Sequence, residues 1–430
     1  MGKLEPLPGT SDLWHPEAAE WVRLENTARR VMGLYGYAEL RTPIIERTDV
    51  FVRGIGSDTE VVQKEMYTFT DRGDRSLTLR PEGTAGVMRA IANQGVGEGE
   101  EKRVFYCGPM FRGERPAAGR KRQFHQIGVE AVGKLTPLLD AESMVMLFDY
   151  LRAVGIDDFR LLLNSRGTRE DRQDASRTLQ EHFRPHVEEM CEDCRRRLDS
   201  NVWRILDCKV EACRGFVAQA PPIVDLLSET SRAYFGQVQR ALDAFGIAYE
   251  VAPHLVRGLD YYEHTVFEVV SDSPHLGAQN ALAGGGRYLI ELPGSRKPIP
   301  GVGFALGMER LMMARHRPRQ ESPGHGPVDV FIAILGDQAE VCALQLSREL
   351  RARQVRVLCE TEGRSIKAQM RTADKCGAEL AVIVGGEELA AGQVTVKYMR
   401  ESRQEQIDRE HAAPSIAATL GRKEDPEGMY

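Results

Sequence analysis

The residues best suited to chemistry lie in two strand-like runs around a loop punctuated by Gly113, Pro116 and Gly119. The first run is Gly108-Pro109-Met110-Phe111-Arg112, and the second is Gln123-Phe124-His125-Gln126-Ile127-Gly128-Val129-Glu130. From Arg112 to Arg122 there are five cations (Arg112, Arg115, Arg120, Lys121, Arg122) and one acid, Glu114. A planar guanidinium can meet two phosphoryl oxygens at once, so arginines held at a strand end suit a polyphosphate. The same composition also fits an exposed basic hairpin that is simply solvated. A second cluster, Cys191-x2-Cys194-x13-Cys208-x4-Cys213, approaches the spacing of a four-thiolate zinc site. Reduced thiols are the expectation there, with zinc as the alternative. A third feature is Gly284-Gly285-Gly286, which either lets a ligand approach the backbone or forms a plain β-turn.

Elements that could carry these groups follow from periodicity. Trp21, Leu24, Ala28, Val31 and Met32 recur at helical spacing in a helix from about Pro16 to Tyr35. The extended run 37–46 contains Pro43 and fits an edge position. Residues 65–80 carry a hairpin pattern, and Glu82 opens a helix to about Ala92, where a carboxylate complements the helix dipole. A helix is expected from about Asp140 to Gly155, then charged helical sequence over 167–249 that looks like an insertion. Strands are expected at 249–252, 266–270 and 301–304, with a helix over 306–314. Hairpin-length loops between most neighbouring strands predict an antiparallel sheet. A polar Pro/Gly-rich linker spans 316–327. Beyond it strands at 328–335, 355–360, 378–384 and 393–399 and helices at 339–353 and 365–375 predict a small α/β domain. Between Arg351 and Lys375 seven cations face three acids, a local excess that suits a phosphate backbone or a solvated helix face.

Length and charge set the outer limits. A chain of 430 residues has room for roughly two or three domains. With 57 basic and 63 acidic residues the net charge is -6, so a nucleic acid would be met by local basic patches and not by the overall field. Neither an apolar leader after Met1 nor a run long enough to span a bilayer is seen, so a cytoplasmic, membrane-free protein is expected.

Three further segments complete a pattern: Leu255-Val256-Arg257-Gly258-Leu259-Asp260-Tyr261-Tyr262, Gly284-Gly285-Gly286-Arg287-Tyr288, and Gly301-Val302-Gly303-Phe304-Ala305-Leu306-Gly307-Met308-Glu309-Arg310-Leu311. With the basic hairpin, and in this order, they resemble the class II aminoacyl-tRNA synthetases. The Arg-Gly-Leu-Asp-Tyr-Tyr and Gly-Gly-Gly-Arg-Tyr segments resemble the histidyl-tRNA synthetases in particular, and the likeness runs from about Pro8 to about Leu420. The resemblance implies an α+β protein: a class II antiparallel-sheet catalytic domain (1–166 and 250–320), interrupted by a helical insertion (167–249) that would meet the acceptor arm, and a C-terminal α/β anticodon-binding domain (327–421). It implies ATP with Mg2+, L-histidine and tRNA(His) as ligands, and a homodimer formed around the first helix and the strand with its proline.

By the same matching, Arg112 and Arg257 are catalytic, Arg257 standing where other class II enzymes place a magnesium ion. Arg112, Glu114 and Arg310 bind ATP. Glu82, Thr84, Gln126, Glu130, Tyr262 and Tyr288 bind histidine. Two departures stand out: Tyr288 is followed directly by Leu289-Ile290-Glu291-Leu292-Pro293 where the family usually has Asp-Gly, and Val394-Thr395-Val396-Lys397 ends in Tyr398 where the family has Asp. The rival reading is a synthetase-like regulatory subunit of ATP phosphoribosyltransferase. Such paralogues generally lack the anticodon module and parts of the Arg-Gly-Leu-Asp-Tyr-Tyr segment, both of which stand here.

Overall fold

The computed structural model describes residues 4–57, 59–95, 100–259, 261–277, 280–290, 298–315, 328–401 and 403–422. The linker 316–327, Asp260 and the run from Glu291 to Pro293 lie outside the described residues. The chain divides into two compact units, 1–316 and 317–430.

In the first unit, helix α1 (Glu17–Leu34) is followed by the short strands β1 (Ala38–Glu39) and β2 (Ile45–Arg47), helix α2 (Thr48–Ile55), and the hairpin β3 (Tyr67–Thr70) and β4 (Ser76–Leu79). Pro43 falls between β1 and β2 and belongs to neither strand. Helix α3 (Thr84–Gln94) then leads to the long strands β5 (Lys102–Phe111) and β6 (Gln123–Val132). Helix α4 (Pro137–Ala153) begins earlier than expected, because the Thr136 side chain accepts from Leu139 N–H and Pro137 suits the first turn. Strand β7 (Arg160–Ser165) precedes the helices α5 (Arg169–Phe183), α6 (Glu192–Ser200), α7 (Glu211–Ala218) and α8 (Glu229–Ala244). The unit closes with β8 (Glu250–Val251), β9 (Tyr262–Val270), β10 (Ala281–Ile290), β11 (Ile299–Gly307) and α9 (Met308–Ala314).

Eight strands form one sheet in the order β1-β5-β6-β11-β10-β9-β7-β8, and β2-β4-β3 form a smaller one. The large sheet is antiparallel except at its two ends, where β1 runs parallel to β5 and β8 to β7. Hairpin connection explains only part of this. At the centre β11 pairs antiparallel with β6, a strand from far upstream, as well as with its neighbour β10. The glycine triplet is not a turn: Gly284, Gly285 and Gly286 lie inside β10, paired on both sides.

Period-two alternation assigns the two faces of the sheet. On β6, Ile127, Val129 and Ala131 pack into the main core, alongside Leu24, Ala28 and Met32 of α1 and Met144, Leu147 and Leu151 of α4. The intervening Gln126, Gly128 and Glu130 occupy the other face. Arg287 obeys the same rule against its motif neighbour: it turns from the face of Tyr288 to the helix side, where it is 1% exposed and forms a buried ion pair with Asp140. Asp140 also accepts from Thr265 (2.6 Å) and Tyr234 (3.1 Å), so every acceptor lobe of this buried carboxylate is occupied. The helices α5 to α7 gather a separate apolar cluster that includes Leu179, Phe183, Leu198 and Trp203.

The second unit contains β12 (Val330–Leu335), α10 (Glu340–Ala352), β13 (Val357–Cys359), α11 (Ile366–Lys375), β14 (Leu380–Gly385), α12 (Gly386–Ala391), β15 (Gln393–Tyr398), β16 (Arg403–Asp408) and α13 (Arg409–Thr419). Its sheet, β13-β12-β14-β15-β16, is parallel over the first three strands and antiparallel over the last three. Sequence periodicity leaves out α12, β16 and α13. Strand β16 is polar and exposed along most of its length, and Pro414 interrupts the helical pattern of α13.

Candidate active site

The face of the large sheet opposite α1 and α4 forms the floor of a cleft of about 190 Å³. All ten expected site residues line it: Glu82, Thr84, Arg112, Glu114, Gln126, Glu130, Arg257, Tyr262, Tyr288 and Arg310.

The deep end is polar and its side chains are buried. Glu130 is 1% exposed; its carboxyl accepts from Thr84 Oγ1 and from the Tyr288 hydroxyl, both at 2.7 Å. Burial pushes its pKa up to about 8, against the pull of those two hydrogen bonds. No pairing with Arg122 is present, although that cation is near in sequence. The glycines of β11 make this arrangement fit: a Cβ at Gly301 would overlap the Tyr288 ring, and one at Gly303 the Glu130 carboxylate. Glu82 sits just before α3, and its two oxygens accept from Thr84 N–H (2.7 Å) and Ala85 N–H (2.8 Å). It therefore caps the helix while facing the cleft, and burial raises its pKa. Gln126 Oε1 is buried without a hydrogen-bond partner.

The other end is cationic. Arg112 donates from Nε to Pro81 O at 2.9 Å and lies over the Phe124 ring, so its fork is held at the end of β5. Glu114 faces Arg120 at 3.5 Å. Arg310, near the start of α9, donates to Gly119 O and Ala281 O. Burial and the adjacent Arg120 press its guanidinium toward the neutral form, a penalty that an anion in the cleft would relieve. Of the loop cations, Arg115 is exposed and outside the cleft, whereas Arg120 and Lys121 line it. The basic loop is thus neither a free solvated hairpin nor wholly part of the site.

Arg257 lies between these ends. It donates from Nη1 to Glu268 Oε1 at 2.6 Å, and its guanidinium lies flat against the backbone of Gly284, where a Cβ would overlap it. Glu268 is the residue that reading by motif misses. The sequence signals only an acid within the apolar run Val266–Val270; that this acid stands opposite Gly284, and so beside Arg257, follows from strand register alone. Tyr261 and Glu309 also line the cleft; Glu309 accepts from His125 N–H at 3.1 Å.

A deep acidic, aromatic end and a cationic outer end on a glycine-lined antiparallel sheet define a class II aminoacyl-tRNA synthetase catalytic unit. The sequence profile of histidyl-tRNA synthetase matches residues 9–311, and that of an anticodon binding domain matches residues 329–419. The histidine–tRNA ligase of Halothermothrix orenii is 46% identical over 402 residues, covering 93% of this chain and 95% of that protein. That of Solidesulfovibrio magneticus is 46% identical over 423 residues, covering 98% and 99%. The structure of apo S. aureus histidyl-tRNA synthetase superimposes with a TM-score of 0.79 at 36% identity, covering 96% of this chain and all of that one. The chain belongs to the histidyl-tRNA synthetase family.

Proposed function

We infer that the chain is a histidine–tRNA ligase: histidine and ATP give histidyl-adenylate and pyrophosphate, and the histidyl group then passes to the 3′-terminal adenosine of tRNA(His). The observation that carries this reading is the polarity of the cleft, a buried carboxyl with two hydroxyl donors at one end and three buried or half-buried arginines at the other. Attack of a carboxylate on the α-phosphorus brings two anions together, so the barrier falls mainly by positioning and by cations aimed at the growing charge. Arg112 is proposed to bridge the α-phosphate and the substrate carboxylate, Glu114 to meet the adenine side, and Arg310 to hold the γ-phosphate of ATP, which arrives as its magnesium complex. Arg257, braced by Glu268, stabilises the pentacovalent phosphorus.

At the deep end Glu82 and Thr84 would receive the α-ammonium, while Gln126, whose buried Oε1 has no hydrogen-bond partner, would join the residues that select the side chain. Glu130, Tyr262 and Tyr288 would surround the imidazole, whose N–H an aliphatic side chain cannot replace. The helical segment 167–249 is proposed as an insertion against the acceptor arm of tRNA, and 327–421 as the anticodon module. In support of the latter, Lys367, Arg371 and Lys375 recur every four residues on exposed positions of α11, although Arg356 and Arg364 are taken up by Asp329 and Glu360. A homodimer is proposed around α1 and the proline-bearing run 37–46, in and beside which Ile44, Ile45, Tyr67 and Phe69 are exposed. No helix of the described residues is long and apolar enough to cross a membrane.

The test is exchange of pyrophosphate into ATP with each of the twenty amino acids. Histidine alone should support it; absence of exchange with every amino acid would overturn the ligase reading in favour of a regulatory one.

A further inference from the structure

Four cysteines within a stretch of 23 residues converge inside the helical segment. The sulfurs of Cys191, Cys194, Cys208 and Cys213 all lie within 4.8 Å of one another, and Cys191 and Cys208 are 3.8 Å apart. A tetrahedral ion with metal–sulfur bonds of about 2.3 Å needs sulfur–sulfur edges of roughly 3.8 Å. Chain geometry supports the same arrangement: Cys191 lies just before α6, and its backbone N–H points at Cys213 Sγ at 3.3 Å. Cys194 and Cys213 are buried beside Leu198 and Trp203. Arg195 fixes the approach to the cluster by donating to Met190 O.

The cluster also adjoins the cleft. Val256 packs into the same apolar cluster as Cys194 and Cys213, one residue before Arg257. Arg204 lies against Gly258, one residue after it. Asp207 and Lys209, which bracket Cys208, line a second hollow that shares Arg120, Arg257, Glu268 and Arg310 with the cleft.

We propose that Cys191, Cys194, Cys208 and Cys213 bind one zinc ion as a tetrathiolate, and that this ion fixes the 204–209 segment which walls the mouth of the cleft beside Arg257. On binding, each thiol releases its proton to solvent, and the four thiolates leave the site with two net negative charges. Arg195 and Lys209 flank the ligands in sequence. Soft thiolate donors at this spacing select zinc over magnesium, so the site is separate from the metal that accompanies ATP. The link to Arg257 rests on the ligase reading; the metal site itself does not.

The experiment is metal analysis of the full-length, reduced protein expressed with ample zinc. One zinc per chain is expected after gel filtration, falling to none in Cys208→Ser and Cys213→Ser. Cobalt loaded into the wild-type chain should give the intense thiolate-to-metal absorption of a tetrahedral four-sulfur site, a readout that needs no variant to fold. Failure of the reduced wild-type chain to retain zinc, or recovery of iron in its place, overturns the site. For the second part, zinc is stripped with a chelator and histidine-dependent exchange is measured in magnesium buffer. Displacement of Arg257 should lower kcat on the order of tenfold to a hundredfold, with recovery when zinc is restored. A stripped, folded chain with unchanged kcat overturns the link to the cleft. Absence of exchange even in the zinc-loaded chain counts against the ligase reading and leaves the zinc stoichiometry as an independent result.

Discussion

Tyr288 donates its phenolic hydrogen to Glu130 at 2.7 Å across the width of β11, over the space left by Gly301 and Gly303. Two strands that are not neighbours in the sheet are thereby joined at the base of the cleft. The hydroxyl and the carboxyl are held together without a ligand, which would lower the ordering cost of binding the substrate proposed for this end.

Glu130→Gln keeps size but cannot take the charged form, which a hydrogen-bond donor or cation arriving with the substrate would favour over the protonated carboxyl that burial imposes on the empty site. A buried hydrogen bond to a charged group contributes roughly 1.5–3 kcal/mol, so kcat/KM for histidine should fall on the order of tenfold to a hundredfold while KM for ATP changes much less. Unaltered histidine kinetics in a folded variant would remove Glu130 from substrate recognition.

Glu130 also makes stability depend on pH. Its native pKa is raised to about 8 from an unfolded value near 4.5, so between these limits the native chain holds a proton that the unfolded chain has released. The stabilisation is complete below about pH 4.5 and is lost as pH rises through about 8. Wild-type Tm should therefore decline relative to that of Glu130→Gln across this window. A difference in Tm that stays constant with pH would show that Glu130 does not titrate there.

Arg257→Ala should lower kcat for adenylate formation by roughly 10²–10³ with little change in KM, the pattern of a group that acts on charge developing in the transition state. Gly284→Ala offers a subtler route to the same end. The three atoms nearest the added methyl all belong to the Arg257 guanidinium, the movable end of a flexible side chain, so the fold should survive while the cation is pushed aside. Exchange kinetics and Tm of both variants give the answer: an Arg257→Ala enzyme with near-normal kcat would sink the role.

Removal of residues beyond Pro327 should spare histidine-dependent exchange and abolish most tRNA charging. The second unit has its own apolar core of Val330, Ile332, Leu346, Val382 and Val394, and the first retains every cleft residue. Aminoacylation of tRNA transcripts by the soluble truncated protein, at full rate, would contradict the anticodon assignment.

The site was more legible in the sequence than the scaffold beneath it. Family motifs pick out local stretches, and alternation along β6 and β10 then settles which residue of each stretch faces the cleft. Partnerships between distant stretches leave no such trace: the capping of α3 by Glu82 is local, but the bracing of Arg257 by Glu268 and the burial of Arg287 on Asp140 depend on register. Asp140 was legible only as a residue near a helix start, because spacing cannot reveal a partner 147 residues away. Strand β16 was missed for the opposite reason, since an exposed outer strand needs no apolar alternation.

The position of β11 has a consequence for biosynthesis. This strand fills the gap between β6 and β10, yet it is the last strand of the large sheet to leave the ribosome. Until Ile299–Gly307 emerges, β6 and β10 each present an open backbone edge, and Arg112 and Glu130 stand in one half of the sheet while Arg257 and Tyr288 stand in the other. The nascent protein is thus most exposed to sticking to its neighbours just before it becomes able to bind its substrates, and a single nine-residue segment ends both conditions at once.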